Sequence, residues 1–177
     1  MQAEKQSLYA DLLAGGPRFH SQDPHFDAAF DLARANLQAL EAESAALGRY
    51  FYAGLETFPY WFSADGGYDI PGLLAARFES TGANHLLIGT RFDGQGSVPH
   101  QRSPSGAIAV QGNAAETPLW VMALWDAYRW TGDRGFLEAV YPAAVQGLLD
   151  YTLGALDRDG DGCPSGPGLI ERVDMGA

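Results

Sequence analysis

The chain has a single cysteine, Cys163, in 177 residues. A lone thiol excludes an internal disulfide framework and a multi-cysteine zinc site. Positive charge is also scarce: 11 lysines and arginines stand against 22 aspartates and glutamates, a net charge of -11. Nucleic-acid affinity rests on neutralising phosphates with Lys and Arg, and anionic membranes attract basic segments. Both partner classes are therefore disfavoured. No apolar run approaches the roughly 20 residues of a membrane span. The N-terminus, MQAEKQSLYADLLAGG, lacks a basic region leading into an apolar stretch. No signal peptide is expected, which favours a cytoplasmic chain. Strand signals are weak, and SGAIAVQGN, residues 105–113, should pair briefly at best.

What is present is apolar. Hydrophobic residues make up 46% and aromatics 12%, enough for a core rather than a disordered tail. The length suits one domain. Residues 1–22 read as an N-terminal connector, with the helical domain beginning at 23.

The segment 23–51 opens with Asp23 as a candidate N-cap and Pro24 at the first helical position. Its apolar residues at 26, 30, 37, 40, 47 and 51 share one helical face with Ala33, which predicts one long helix. A second helix is expected from Asp69 to Gly82, with Pro71 in its first turn, and a shorter third over 83–92. A fourth should run from Pro118 to Gly132. It is apolar nearly all round, with Leu119, Trp120, Val121, Met122, Leu124, Trp125, Tyr128 and Trp130, so burial between other helices is expected. The fifth, 133–156, contains Pro142, where a break or restart should fall. The reading is an all-α chain of antiparallel helical hairpins in two layers, with long loops between helices.

Those loops carry the polar chemistry. Asn113 and Glu116 have capping-box spacing. Pro118 argues instead for Thr117 as N-cap, since proline is at home in the first helical position. Asn113 and Glu116 would then be free to face a cavity. His100 lies in a Gly/Pro-rich loop, and His20, His25 and His85 show no metal spacing with it, so no zinc is expected. DRDGDG, residues 157–162, resembles the start of a calcium loop, but the twelfth position from Asp157 is Gly168 rather than glutamate. An Asx-turn loop is favoured.

The stretch 54–72 is the most unusual. Phe58, Tyr60, Trp61 and Phe62 run almost contiguously into Asp65 on a glycine turn. One reading is a hydrophobic staple folding a chain reversal onto the core. The other is a sugar platform, because pyranose rings offer apolar C–H faces to aromatics and hydroxyls to carboxylates.

In order along the chain, AGLETFPYWFSADGGYDIPGLLA, SVPHQ, GNAAETPLWVMALWDAYRWTGDRGFLEAVYP and LDRDGDGCPSGPGLIERVDMG resemble the catalytic domain of amylo-α-1,6-glucosidases. These are glycogen-debranching-type glycoside hydrolases of the glucoamylase-like, six-hairpin superfamily. The resemblance covers roughly residues 20–177. It implies an (α/α)6 toroid of inner and outer helices, here a partial catalytic domain over 23–177 amounting to about half a barrel. The remaining half and the general base would lie C-terminal. The related pattern often carries Arg-Asp after the tryptophan, where this chain has Ala64-Asp65-Gly66.

The implied activity is hydrolysis of glycosidic bonds in α-glucans by two carboxyl groups, with inversion. No cofactor is implied, and the partner is a carbohydrate. Asp65 would accept from glucose hydroxyls, Tyr60 and Trp61 would wall that subsite, and His100, Asn113 and Glu116 would line the pocket. Glu171 would be the general acid, with Asp174 the competing carboxylate. A non-catalytic carbohydrate-binding protein and a sugar isomerase or epimerase on the same toroid are the alternatives.

Overall fold

A computed structural model describes residues 2–164. These are mostly helical, with two small antiparallel sheets. Helix α1, Gln2–Gly15, occupies most of the expected connector and packs on α2, Pro24–Leu40. The Arg34 guanidinium on α2 is buried and donates to the Pro17 carbonyl at 3.0 Å and to that of Leu12. It thereby satisfies one carbonyl in the last turn of α1 and one in the linker that follows.

Asp23 caps α2 as expected, its carboxylate accepting from the His25 amide at 2.9 Å. The long helix to residue 51 does not form. The chain turns at Glu41 into a hairpin of β1, Glu41–Ser44, and β2, Gly48–Phe51. The helical stripe is real through Leu40. Beyond it, Leu47 reaches the core from the hairpin turn, and Tyr50 and Phe51 from the strand β2. Aromatic residues suit a strand, and tertiary partners fix the choice. Asn84 donates to the carbonyls of Leu47 and Arg49 at 2.8 and 2.6 Å.

The expected helix Asp69–Gly82 is two helices. After the short strand β3, Trp61–Phe62, α3 runs over Ser63–Ala75 and α4 over Glu79–Ile88. Arg77, in the left-handed region at φ 72°, separates them. Pro71 therefore lies inside α3, on its exposed face, where water can serve the carbonyl it leaves unbonded. Asp65 sits in the first turn of α3 rather than on a loop turn.

Strands β4, Gln101–Arg102, and β5, Ile108–Val110, complete a β3-β4-β5 sheet. The brief pairing expected of 105–113 is present. Its partner β4, and the Trp61–Arg102 register that ties it to β3, were not foreseen.

Helix α5, Glu116–Thr131, ends at Gly132 in the left-handed region, as expected. It leads into α6, Arg134–Val145, which passes through exposed Pro142 without breaking and continues as a π-helix, Gln146–Ala155. Helices α3 and α4 are antiparallel, with His85 beside Gly66 and Ile70 beside Gly82. The α6–π-helix rod runs antiparallel to α5, and Gly147 meets Thr117. Helices α3 and α5 run the same way: Gly67 lies near Leu119 and Ala123, and Leu74 shares a groove with Ala127. Their N-termini thus share one end of the molecule.

The core joins Tyr50, Trp61, Ile70, Leu73, Leu86, Ile88, Val98, Trp120 and Leu124. Trp61 and Trp120 donate their indole N–H groups to the carbonyls of His85 and Leu86, at 3.0 and 2.8 Å. Those carbonyls belong to the last turn of α4, where helices leave acceptors unpaired. The all-round burial expected of α5 is not found. Met122, Trp125 and Trp130 are exposed, and Trp125 lines an apolar groove of about 440 Å3 with Val140, Tyr141, Ala144 and Leu149.

Candidate functional site

The shared end of α3 and α5 gathers polar residues from distant segments. His100 precedes β4 and is 3% exposed, while Glu116 opens α5 and is fully buried. The His100 Nδ1 lies 3.0 Å from Glu116 Oε1. The second carboxylate oxygen accepts the Asn113 amide at 2.8 Å, and Asn113 Oδ1 accepts the Ala115 amide at 3.1 Å. The Asn113 carboxamide so closes an Asx turn, and the Glu116 carboxylate reaches back to its amide, ahead of the helix that starts at Glu116. The expectation of Thr117 as N-cap is therefore corrected: the helix begins at Glu116 and Thr117 lies in its first turn. Pro118 stays within that turn, where an absent N–H needs no partner. The Thr117 hydroxyl instead accepts the Val98 amide at 3.1 Å. His100, Asn113 and Glu116 are thus brought together as one closed cluster. The Phe62 ring stands edge-on to His100 at 5.2 Å.

Sequence reasoning missed a second half of this cluster. Asp93, buried, accepts the amides of Gln95, Ser97 and Gly112 at 2.8, 3.1 and 3.3 Å and the Ser97 hydroxyl at 2.7 Å. One carboxylate so pins the loop between α4 and α5. Tyr151, on the π-helix, is buried, and its phenol is pushed up by burial and then by the charges of Asp93 and Glu116. The signal available in sequence was the DGQGS run after Phe92, since aspartates in Gly-rich loops bond nearby amides.

The residues around Asp65 divide. Trp61 is not a surface wall: it has no exposed area and is bonded to α4. Tyr60 is half-buried, and Phe58 and Tyr68 are the exposed aromatics. Asp65 is exposed, one helical turn before Asp69. The Asp69 carboxyl is raised above its ordinary value, first by desolvation and then by the Asp65 charge. The crevice they line with Tyr52, Phe62 and His85 holds about 10 Å3, room for one water at most. The crevice is too small for a sugar ring. Glu171 and Asp174 lie outside the described residues.

His85 has a structural role. Its Nδ1 accepts the Phe51 amide at 3.3 Å and its Nε2 meets the Phe62 carbonyl at 3.1 Å. An amide only donates and a carbonyl only accepts, so the neutral Nε2–H tautomer fits. A Cβ on Gly66 would stand 1.9 Å from that Nε2, so only glycine fits beneath the ring. Burial lowers the imidazole pKa to about 4 from 6.5. The unfolded chain then binds the proton first as pH falls, and His85 contributes stability in full above pH 6.5 that is lost towards pH 4. The expected loss is about 3 kcal/mol. Urea unfolding at pH 7 and pH 5 should show about 2 kcal/mol of it. A His85→Gln variant should have the flatter profile, and equal slopes would remove His85 as the cause.

In DRDGDG, the Asp157 oxygens accept the Gly160 and Gly162 amides at 2.8 and 2.9 Å, the turn expected of this loop. Ligand atoms of Asp157, Asp159 and Asp161 also come within 4.8 Å of one another.

No family model, curated protein or solved structure matches the chain.

Proposed function

We propose that the protein is part of an inverting glycoside hydrolase acting on α-glucans, with an (α/α)6 toroid as its full architecture. The observation that carries this reading is the common end of the parallel helices α3 and α5. It collects Asp65 and the His100–Asn113–Glu116 cluster, residues that the resemblance assigns to the sugar pocket. The two antiparallel hairpins, α3–α4 and α5–α6, supply the repeat such a toroid needs. Its exposed apolar face at Met122, Trp125, Tyr141 and Leu149 is the kind of surface a further hairpin covers.

In this reading Asp65 accepts hydrogen bonds from glucose hydroxyls, helped by exposed Tyr68 and Phe58 rather than by buried Trp61. Glu171 donates the proton to the glycosidic oxygen, and a carboxylate beyond Ala177 activates water. Buried His100 and Glu116 shape the floor behind the sugar.

The test is product analysis on maltooligosaccharides and branched α-glucans by the full-length enzyme that contains this chain, with the anomer of the released sugar read by NMR. Release of the inverted anomer supports the proposal. Binding without hydrolysis would favour a carbohydrate-binding protein, a reading to which the exposed Asp65, Asp69 and Tyr68 also lend themselves. Asp65→Asn replaces an ionised acceptor by a neutral amide. It should weaken maltooligosaccharide binding about tenfold or more, since hydrogen bonds to charged groups contribute roughly 1.5–3 kcal/mol. Calorimetric affinities within threefold of each other would remove Asp65 from the sugar.

A further inference from the structure

The loop between α4 and α5 is held by one side chain at two places far apart in sequence. Asp93 is 6% exposed. Its Oδ1 accepts the Gln95 and Ser97 amides at 2.8 and 3.1 Å, and its Oδ2 accepts the Ser97 hydroxyl at 2.7 Å. The same Oδ2 accepts the Gly112 amide at 3.3 Å, from the other end of the loop. An ionised carboxylate suits the place because it only accepts, and all four partners can donate. The two ends touch. A Cβ on Gly112 would stand 2.0 Å from the Val98 carbonyl oxygen and 2.6 Å from Ser97 Oγ, so only glycine closes the loop.

Each clasped end leads straight to α5. Val98, next to Ser97, donates its amide to Thr117 Oγ1 at 3.1 Å. Asn113, next to Gly112, donates its amide to Glu116 Oε2 at 2.8 Å. His100 lies between the two ends, with its Nδ1 3.0 Å from Glu116 Oε1. The His100 carbonyl accepts the Ser63 amide at 3.1 Å, which ties the loop to the start of α3 as well. Asp93, Ser97, Val98, His100, Glu116 and Thr117 are all buried. Water is therefore a poor substitute for these bonds, and the chain itself sets their geometry.

We propose that Asp93 is a positioning residue for the His100–Glu116 pair: it clasps both ends of the loop that carries His100 and so seats that loop on the first turn of α5. The inference does not rest on the carbohydrate reading, because its readouts are backbone amides of this chain.

The experiment is amide hydrogen exchange of the full chain, read residue by residue by 15N NMR. The Val98 amide reports one clasped end. The Asn113 amide reports the other, through the Glu116 carboxylate itself. Asp93→Ala removes both holds, so both amides should exchange about tenfold faster or more, since hydrogen bonds to charged groups are among the stronger ones. Asp93→Asn keeps the shape and separates the ends. Its one acceptor oxygen can serve the Gln95 and Ser97 amides, and the Ser97 hydroxyl can turn to accept from the new NH2. The Gly112 amide can only donate, so it loses its partner. Asn113 should then exchange about tenfold faster, while Val98 stays within about threefold of the parent. A carboxylate that merely stabilised the region would loosen both ends alike. The Phe51 amide, held by His85 outside the loop, should keep its rate in both variants. Unchanged Val98 and Asn113 amides in Asp93→Ala overturn the proposal. So does equal loosening of the two ends in Asp93→Asn, or a Phe51 amide that accelerates with them. Should Asp93→Ala fail to fold, the near-isosteric Asp93→Asn decides alone.

Discussion

Trp61→Ala should lower the free energy of unfolding by about 3–5 kcal/mol, the usual result of emptying a large aromatic site in a packed core. The indole has no exposed area and packs among Tyr50, Leu86 and Val98 in one cluster. Its ring lies 5.4 Å from that of His85, and its N–H serves the carbonyl of the same residue. Truncation would therefore leave a cavity and an acceptor deprived of its donor. Trp61→Phe should cost less, since most of the volume remains. Chemical unfolding with unchanged m-values would read both differences directly. A loss below 1 kcal/mol, accompanied by weaker maltooligosaccharide binding, would return Trp61 to the surface as a sugar platform.

Glu116→Ala should cost a comparable 3–5 kcal/mol, because removing one partner of a buried pair leaves the other uncompensated. Here the damage has two parts. His100, 3% exposed, loses the carboxylate at its Nδ1, and the Asn113 amide loses its acceptor just ahead of α5. Glu116→Gln separates them. The amide oxygen can still take the Asn113 N–H, so that bond survives while the carboxylate goes. The expected order is Ala well below Gln, with Gln below the parent. Equal losses for Ala and Gln would assign the whole effect to the charge, and a negligible loss for both would contradict the burial of the pair.

The parts legible in sequence were those with local chemistry. Asp23 before Pro24 marked a helix start, and Gly132 marked an end, because cap geometry depends on few neighbours. The grouping of His100, Asn113 and Glu116 came from the resemblance to amylo-α-1,6-glucosidases, not from local chemistry, which left His100 a lone loop histidine. Contacts at long sequence separation were not visible. The hairpin Glu41–Phe51 looks helical by period and becomes extended because Asn84 and His85 supply partners from α4. Trp61 looked like a surface aromatic because its acceptor lies 24 residues away. Pro71 looked like a first-turn residue and Pro142 like a break, yet both lie inside helices on exposed faces, where packing of the opposite side carries the helix through. The π-register of Gln146–Ala155 had no signal in composition; the buried Gly147 is its one trace in the sequence, and it reads as a packing contact only once Thr117 and Phe92 are beside it.

The four tryptophans divide into two optical populations. Trp61 and Trp120 are dry and hydrogen-bonded to α4, so their emission is shifted to the blue and sealed from aqueous quenchers. Trp125 and Trp130 stand in solvent on the far side of α5, 57% and 58% exposed, and a quencher reaches them freely. Fluorescence of the unmodified chain therefore carries two independent channels. The sealed one reports melting of the core around α4. The open one reports whether anything comes to lie over the outer face of α5, without labels and without knowing what the covering partner is.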